Sequence, residues 1–164
     1  MKKIVFGALV VMVVFSSCLK SVDPPVCNAS DYNPCGYVAP ANEITAVENY
    51  LDTSGITGAT KHCSGVYYKI DAPGSGATPD ICSYISFKYR GSLTNGNVFQ
   101  EVANPIESDL AGLIGGFRNG IPLIKAGGRI TLYIPPSLGY GNQAQGNIPP
   151  NSILIFQVDL VGVQ

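Results

Sequence analysis

Tryptophan is absent, histidine occurs once, and only 13% of the 164 residues are charged. Each shortage removes a class of chemistry. With His62 as the single imidazole, no Ser-His-Asp relay is available. The five cysteines show no C-x-x-C spacing, so a tetrahedral zinc centre lacks its usual ligand pattern. A net charge of −1, with ten scattered Lys and Arg, leaves no basic stripe for nucleic acid. Paired carboxylates for hydrolysis are not evident, and no phosphate-cradling glycine motif, heptad or internal repeat occurs. No apolar run reaches the ~20 residues of an ordinary bilayer-spanning helix. What the chain has instead is turn formers, 19 Gly and 12 Pro. That balance suits one compact β-rich domain with a real core.

The first 17 residues read as a targeting segment. Lys2 and Lys3 precede the apolar run Ile4 to Phe15, and Ser16-Ser17 lead to Cys18. Small residues before a cysteine at the end of such a run look like a bacterial lipobox. The expectation is cleavage before Cys18, acylation there, and a lipid anchor in the cell envelope on the periplasmic face of the outer membrane. Several acyl chains hold a soluble domain stably, where one alone does not. The alternative is an ordinary signal peptide with Cys18 lost or unpaired. Four cysteines then remain, Cys27, Cys35, Cys63 and Cys82. An even number in an exported chain suggests two disulfides, with three possible pairings. The short loop between Cys27 and Cys35 favours 27–35 with 63–82, and His62 reads as a surface residue beside a disulfide.

Residues 18–41 read as a tether, kept extended by Asp23-Pro-Pro25, Asn33-Pro34 and Pro40. Asn28-Ala-Ser30 matches a glycosylation sequon by chance. The domain is expected over 42–164, with its core in 65–164. Ile44, Val47 and Leu51 share one face of a helix over Asn42 to Asp52, with Asn42 as its cap and Gly55 as its end. From Gly65 the pattern turns to period two. Strands are expected over Gly65 to Ile70, Tyr84 to Arg90, Val98 to Val102, Arg129 to Ile134 and Ile153 to Val161. Asn95-Gly96 supplies a hairpin turn. A short helix starts near Gly115-Gly116, with Phe117, Ile121 and Ile124 on one face, and ends at Gly127-Gly128. The composite is α+β: a curved antiparallel sheet with a short α-helix against its concave face and an extra short N-terminal helix.

Ordered motifs cover residues 65 to 164. They are Lys88-Tyr-Arg-Gly91 with Leu93, Asn95-Gly-Asn-Val-Phe99, Leu113-Ile-Gly-Gly-Phe117 with Asn119-Gly-Ile121, and Lys125-Ala-Gly-Gly-Arg129. Ile130-Thr-Leu-Tyr-Ile-Pro-Pro-Ser-Leu-Gly-Tyr-Gly141 and Asn147-Ile-Pro-Pro-Asn-Ser-Ile-Leu-Ile-Phe156 complete the series. Together they resemble the FKBP-type peptidyl-prolyl cis-trans isomerases. The resemblance implies an FKBP-like fold and a pocket of Tyr89, Phe99, Leu113, Ile114, Phe117, Tyr140, Ile148 and Phe156. Phe117 stands where the family usually has a tryptophan floor, Gln100 where it usually has an aspartate, and Ile106 where it has a pocket phenylalanine. Tyr89, Phe99, Gln100, Phe117 and Tyr140 are the candidate catalytic residues. Leu113, Ile114, Ile148 and Phe156 are the candidate substrate-binding ones. Alternating aromatics such as Tyr89 and Phe99 are by themselves ordinary strand-core residues. Tyr140, flanked by Gly139 and Gly141 in a loop, has no such packing role to fill.

The implied activity is rotation about X-Pro bonds during folding of exported proteins, with neither metal nor cofactor. The implied partners are proline-containing polypeptides and the membrane, with macrolide binding weak at most and the chain monomeric. Two other functions stay open at this point: a non-catalytic binding module or chaperone for proline-containing segments, and a structural lipoprotein with a vestigial pocket.

Overall fold

A computed structural model describes residues 27–164; the targeting segment and the acylation expected at Cys18 lie outside that range. Six strands form one open antiparallel sheet. They are β1 (Thr60–Lys61), β2 (Tyr67–Ala72), β3 (Tyr84–Leu93), β4 (Val98–Asp109), β5 (Arg129–Ile134) and β6 (Leu154–Val163). Their order across the sheet is β1-β2-β5-β6-β3-β4, so β1 and β4 are its edges. Among the described residues two α-helices complete the frame, α1 (Ala41–Thr53) and α2 (Gly115–Gly120), the latter continued by a 3-10 turn over Ile121–Leu123.

The period-two pattern sorts side chains between two faces. On β5, Ile130, Leu132 and Ile134 join the main core with Phe117, Ile121, Phe156 and Val158. Tyr133 points the other way and packs with Val47 and Leu51 of α1. The sheet therefore carries α2 on one face and α1 on the other. This double cover explains why β5 is buried at every position after Arg129.

Four expectations are corrected. The disulfides join Cys27 to Cys82 and Cys35 to Cys63, not 27 to 35 and 63 to 82. Pairing between neighbours would cross-link only local loops, whereas the observed bridges staple the N-terminal segment to the domain. Consequently the described part of the expected tether, from Cys27 on, is docked. Tyr32 donates its hydroxyl to Asn119 Oδ1 at 2.5 Å, the Ala39 N–H donates to the Ser64 carbonyl, and Ala39 is buried. Asn28, seen above as a chance sequon, caps a short turn by accepting from the Ser30 N–H. Second, α1 starts at Ala41, and Pro40 rather than Asn42 occupies the N-cap without a side-chain bond. The Pro40 carbonyl accepts the first bonds of the helix, from the Glu43 and Ile44 N–H groups. Third, α2 ends at Gly120, well before Gly127. Pro122 lies in the following 3-10 turn, because it has no N–H to continue an α-helix.

Fourth, β4 runs on to Asp109, past the expected end at Val102. Phe87 pairs with Ile106 while Tyr89 pairs with Val102, so residues 103–105 bulge out of the ladder. Pro105 is tolerated there because β4 is an edge strand and a bulge needs no donor. The hairpin at Asn95-Gly96 forms as expected, with Gly96 at φ 85° and the Asn97 N–H bound to Asn95 Oδ1.

Candidate functional site

Five rings converge on the inner face of the sheet. Phe117, from the first turn of α2, meets Phe156 edge-on with centroids 4.7 Å apart. It meets Tyr89 and Phe87 edge-on as well, each at 6.0 Å. Phe99 closes the array against Phe156 at 5.4 Å. Edge-to-face contacts of this kind fix ring planes beyond what burial alone does. Two sequence devices put the rings there. Alternation along β3 aims Phe87 and Tyr89 to one side. On β4 the register slips by one, Gly91 facing Gln100 and Ser92 facing Val98, so Phe99 is a bulged residue re-aimed inward. Gly91 makes this possible: a Cβ there would lie 2.4 Å from Phe99 Cε2 and 2.9 Å from Phe156 Cε1.

The loop between β5 and β6 carries Tyr140 over this array. It is ordered by short backbone bonds. Gly141 N–H donates to the Pro136 carbonyl and Asn151 N–H to the Gly141 carbonyl, both at 2.8 Å. Gln145 and Ile148 exchange bonds across a small bridge. Gly141 takes φ 62°, a left-handed value that its lack of Cβ permits.

The result is a hollow of about 240 Å³ whose wall includes Tyr89, Leu113, Ile114, Phe117, Tyr140 and Phe156. Phe117 and Tyr140 thus share one cavity. Ile106, exposed by 40%, lies on its rim together with Glu107 and Ser108. Not every expected residue enters it. Phe99, Gln100 and Ile148 line an adjoining groove of about 300 Å³, with Tyr140 as the shared partition. Gln100 is exposed there, facing the amides Gln145 and Asn147. Phe87 belongs to the hollow but was not among the expected site residues. Its signal was present, since it alternates with Ile85 and Tyr89 on β3.

The hollow holds no paired charges in its depth. Burial raises the Tyr89 phenol above its usual pKa, and the neighbouring Tyr140 adds to the shift. The Tyr89 phenol therefore stays protonated across the physiological range and can donate. The Ile114 N–H is taken up by no backbone carbonyl of the described residues. Ile114 borders the hollow, and its N–H can donate to a ligand. Among the described residues no group of His, Cys, Asp and Glu is arranged to hold a metal ion.

The family model for FKBP-type peptidyl-prolyl cis-trans isomerases matches residues 76–161, just over half of the chain. The chain belongs to this family. It is 43% identical over 104 residues to a probable FKBP-type isomerase of Haemophilus influenzae, covering 61% of this chain and 43% of that protein. With FkpA of Escherichia coli the identity is 36% over 110 residues, covering 65% and 41%. The chain thus spans less than half the length of these curated relatives. Among solved structures, Escherichia coli FkpA superposes with a TM-score of 0.67 at 32% identity, covering 76% of this chain and 60% of that one. A peptidyl-prolyl isomerase from Pseudomonas syringae gives 0.67 at 25% identity, covering 79% and 99%. The FKBP-like fold expected from the motifs is thereby established.

Proposed function

We propose that this chain is a peptidyl-prolyl cis-trans isomerase whose proline site is the aromatic hollow around Phe117. The observation that carries the reading is the shared cavity of Phe117 and Tyr140, in a chain of the FKBP-type family. Rotation about a peptide bond faces a barrier of about 18–20 kcal/mol because amide resonance must be lost. For X-Pro both isomers are populated, yet exchange takes tens to hundreds of seconds. At the twisted transition state the carbonyl and nitrogen shed part of their charge separation. An apolar hollow disfavours the polar planar amide relative to the twisted one. It needs neither nucleophile nor cofactor to do so.

In this reading the proline ring stacks on Phe117 between Tyr89, Leu113 and Phe156. Tyr140 O–H donates to the carbonyl preceding the proline. Ile114 N–H donates to a carbonyl on the other side of it, and the two bonds hold the segment in a turn. Phe99, Gln100 and Ile148 flank the residue before the proline from the adjoining groove. Gln100 lacks the charge of an aspartate and works from outside the hollow, so its contribution is modest. The clients are proline-containing exported polypeptides, and the domain is held at the membrane through Cys18. The signal-like sequence of residues 1–17 and the two disulfides support this setting, because such bridges persist in oxidising compartments.

The test is an isomerisation assay of the full chain on a short Leu-Pro peptide, beside a Phe117→Ala, Tyr140→Phe double variant. Acceleration by the wild type and none by the variant is the expected result. Peptide binding without acceleration would select a binding module instead.

A further inference from the structure

A second hollow, of about 390 Å³, opens on the far side of Ile114. Ile114 lines both it and the aromatic hollow, so the two are neighbours across one residue. Its walls come from three places: α2 with Arg118, the loop with Ser137, and the N-terminal segment with Tyr32, Pro34 and Tyr37. That last wall precedes the family-matched residues 76–161. It is nevertheless fixed, by the bridges Cys27–Cys82 and Cys35–Cys63 on either side of Tyr32 and by the Tyr32 bond to Asn119.

The chemistry of this cleft differs from that of the aromatic hollow. Arg118 forms no ion pair with any described residue. Its Nε is buried without an acceptor, and so is Ser137 Oγ. The guanidinium lies close enough to Tyr32 to draw its phenol pKa down against the larger upward push of burial. Glu43 reaches the same wall from α1, but its Oε2 accepts the Ser137 N–H at 2.8 Å. At the mouth Tyr37 is 54% exposed, a large ring held outward by a cross-linked segment. A cation without a counter-ion, beside two phenol rings and a proline, suits a carboxylate carried on a polypeptide.

We infer that this cleft is a substrate subsite that takes an acidic side chain of the client, a residue or more beyond the proline, against Arg118. The inference rests on the assignment of the aromatic hollow to the proline. With the preceding carbonyl on Tyr140 and the following one at Ile114, the chain leaves over Ile114 and enters the cleft. The N-terminal segment thereby becomes a specificity element added to the family domain.

The experiment measures binding of labelled peptides to the full chain by fluorescence anisotropy. The probes are Ala-Leu-Pro-Phe, Ala-Leu-Pro-Phe-Ala-Glu and Ala-Leu-Pro-Phe-Ala-Gln. The Glu peptide should bind about fivefold tighter than the Gln peptide, the value of one partly screened ion pair. Raising the ionic strength should shrink the difference. Arg118→Gln should erase it, Arg118→Lys should keep part of it, and both should leave affinity for the short peptide unchanged. Tyr37→Ala, at an exposed position that the fold does not need, should weaken both long peptides and spare the short one. Equal affinities for the Glu and Gln peptides in the wild type overturn the subsite, as does a preference that survives Arg118→Gln. Isomerisation of the short peptide with no Glu preference removes the subsite alone. A Glu preference without any isomerisation keeps the cleft and removes the catalytic reading.

Discussion

The two helices of this domain are held by different physics. α1 has thirteen residues and buries Ile44, Val47 and Leu51 along one stripe. α2 has six residues, three of them glycine, and buries five. By propensity a helix so short and so rich in glycine has little reason to form. Its glycines serve packing instead. A Cβ at Gly116 would lie 2.3 Å from Ile134 Cδ1, and one at Gly120 would lie 2.4 Å from Leu132 Cδ2. The backbone of α2 therefore rests directly on β5, and Phe117 is placed by that contact. α1 adds apolar burial to a finished sheet, whereas α2 is shaped by the sheet and carries the floor of the hollow.

The sharpest test of this contrast deletes one core side chain from each helix. Phe117→Ala should cost about 3–5 kcal/mol in a denaturant melt and abolish turnover per folded molecule. Leu51→Ala should cost about 2–5 kcal/mol yet leave that turnover unchanged. Equal loss of turnover from both would mean the helices are not separable in role. Next in size is the bridge that encloses α1. Cys35→Ser with Cys63→Ser opens a loop of 28 residues and should cost about 3–4 kcal/mol by the chain-entropy account. Short-peptide isomerisation should survive, because Phe117 and Tyr140 do not depend on that bridge.

A third test inverts a rule. Ala for Gly normally favours a helix by about 1 kcal/mol. At Gly116 the sign should reverse, with Gly116→Ala costing about 1–3 kcal/mol through overpacking against Ile134. The opposite change on α1, Ala46→Gly at an exposed position, should cost no more than about 1 kcal/mol. Stabilisation by Gly116→Ala would show that α2 is looser on β5 than its spacing implies. Smaller again is Tyr140→Phe, which removes one hydrogen bond to substrate. It should lower kcat/KM by about 1 kcal/mol, or about fivefold, with no change in melting.

The same contrast decides what could be read from the residues alone. α1 was legible because its stripe recurs at helical spacing. The strands were legible through alternation, and the position of β5 was recovered without error. α2 is different, since its glycines carry no periodic signal. The face shared by Phe117, Ile121 and Ile124 located its start but carried its expected end on to Gly127-Gly128, past the observed end at Gly120. The bulges were hidden for a related reason: Pro105 reads as a strand stop, while the edge position of β4 lets the chain run past it. Pairing of the cysteines depends on where a proline-rich segment docks, a long-range fact with no local pattern. In the site, the ring cluster followed from motif order. The division into two hollows about Tyr140, with Gln100 outside the aromatic one, did not, because it follows from how the loop after β5 folds back.

The smallest effect concerns how α1 is fastened to the sheet. The Tyr67 hydroxyl of β2 donates to Glu48 Oε1 at 2.5 Å, and Lys61 adds an ion pair at 3.2 Å. The bond from Tyr67, followed by that from Lys61, holds the Glu48 carboxyl below its ordinary value of 4.5. Burial first, and then the bond to Glu48, push the Tyr67 phenol up to about 12 from 10.0. The signs follow from linkage. The Glu48 contribution is present above pH 4.5 and is lost as pH falls through its lower folded value. The Tyr67 contribution is present below pH 10 and is lost as pH rises through about 12. Both are surface effects and modest in size. Glu48→Gln should therefore flatten part of the acid limb of stability and leave the part due to Asp159, whose carboxyl Arg129 holds down. It should also bring the Tyr67 titration, followed by ultraviolet absorbance, down toward its ordinary range without reaching it, since the burial of the ring remains. An unmoved Tyr67 titration would mean that α1 is held at that end by apolar contact alone, and that the bond between Glu48 and Tyr67 contributes nothing in solution.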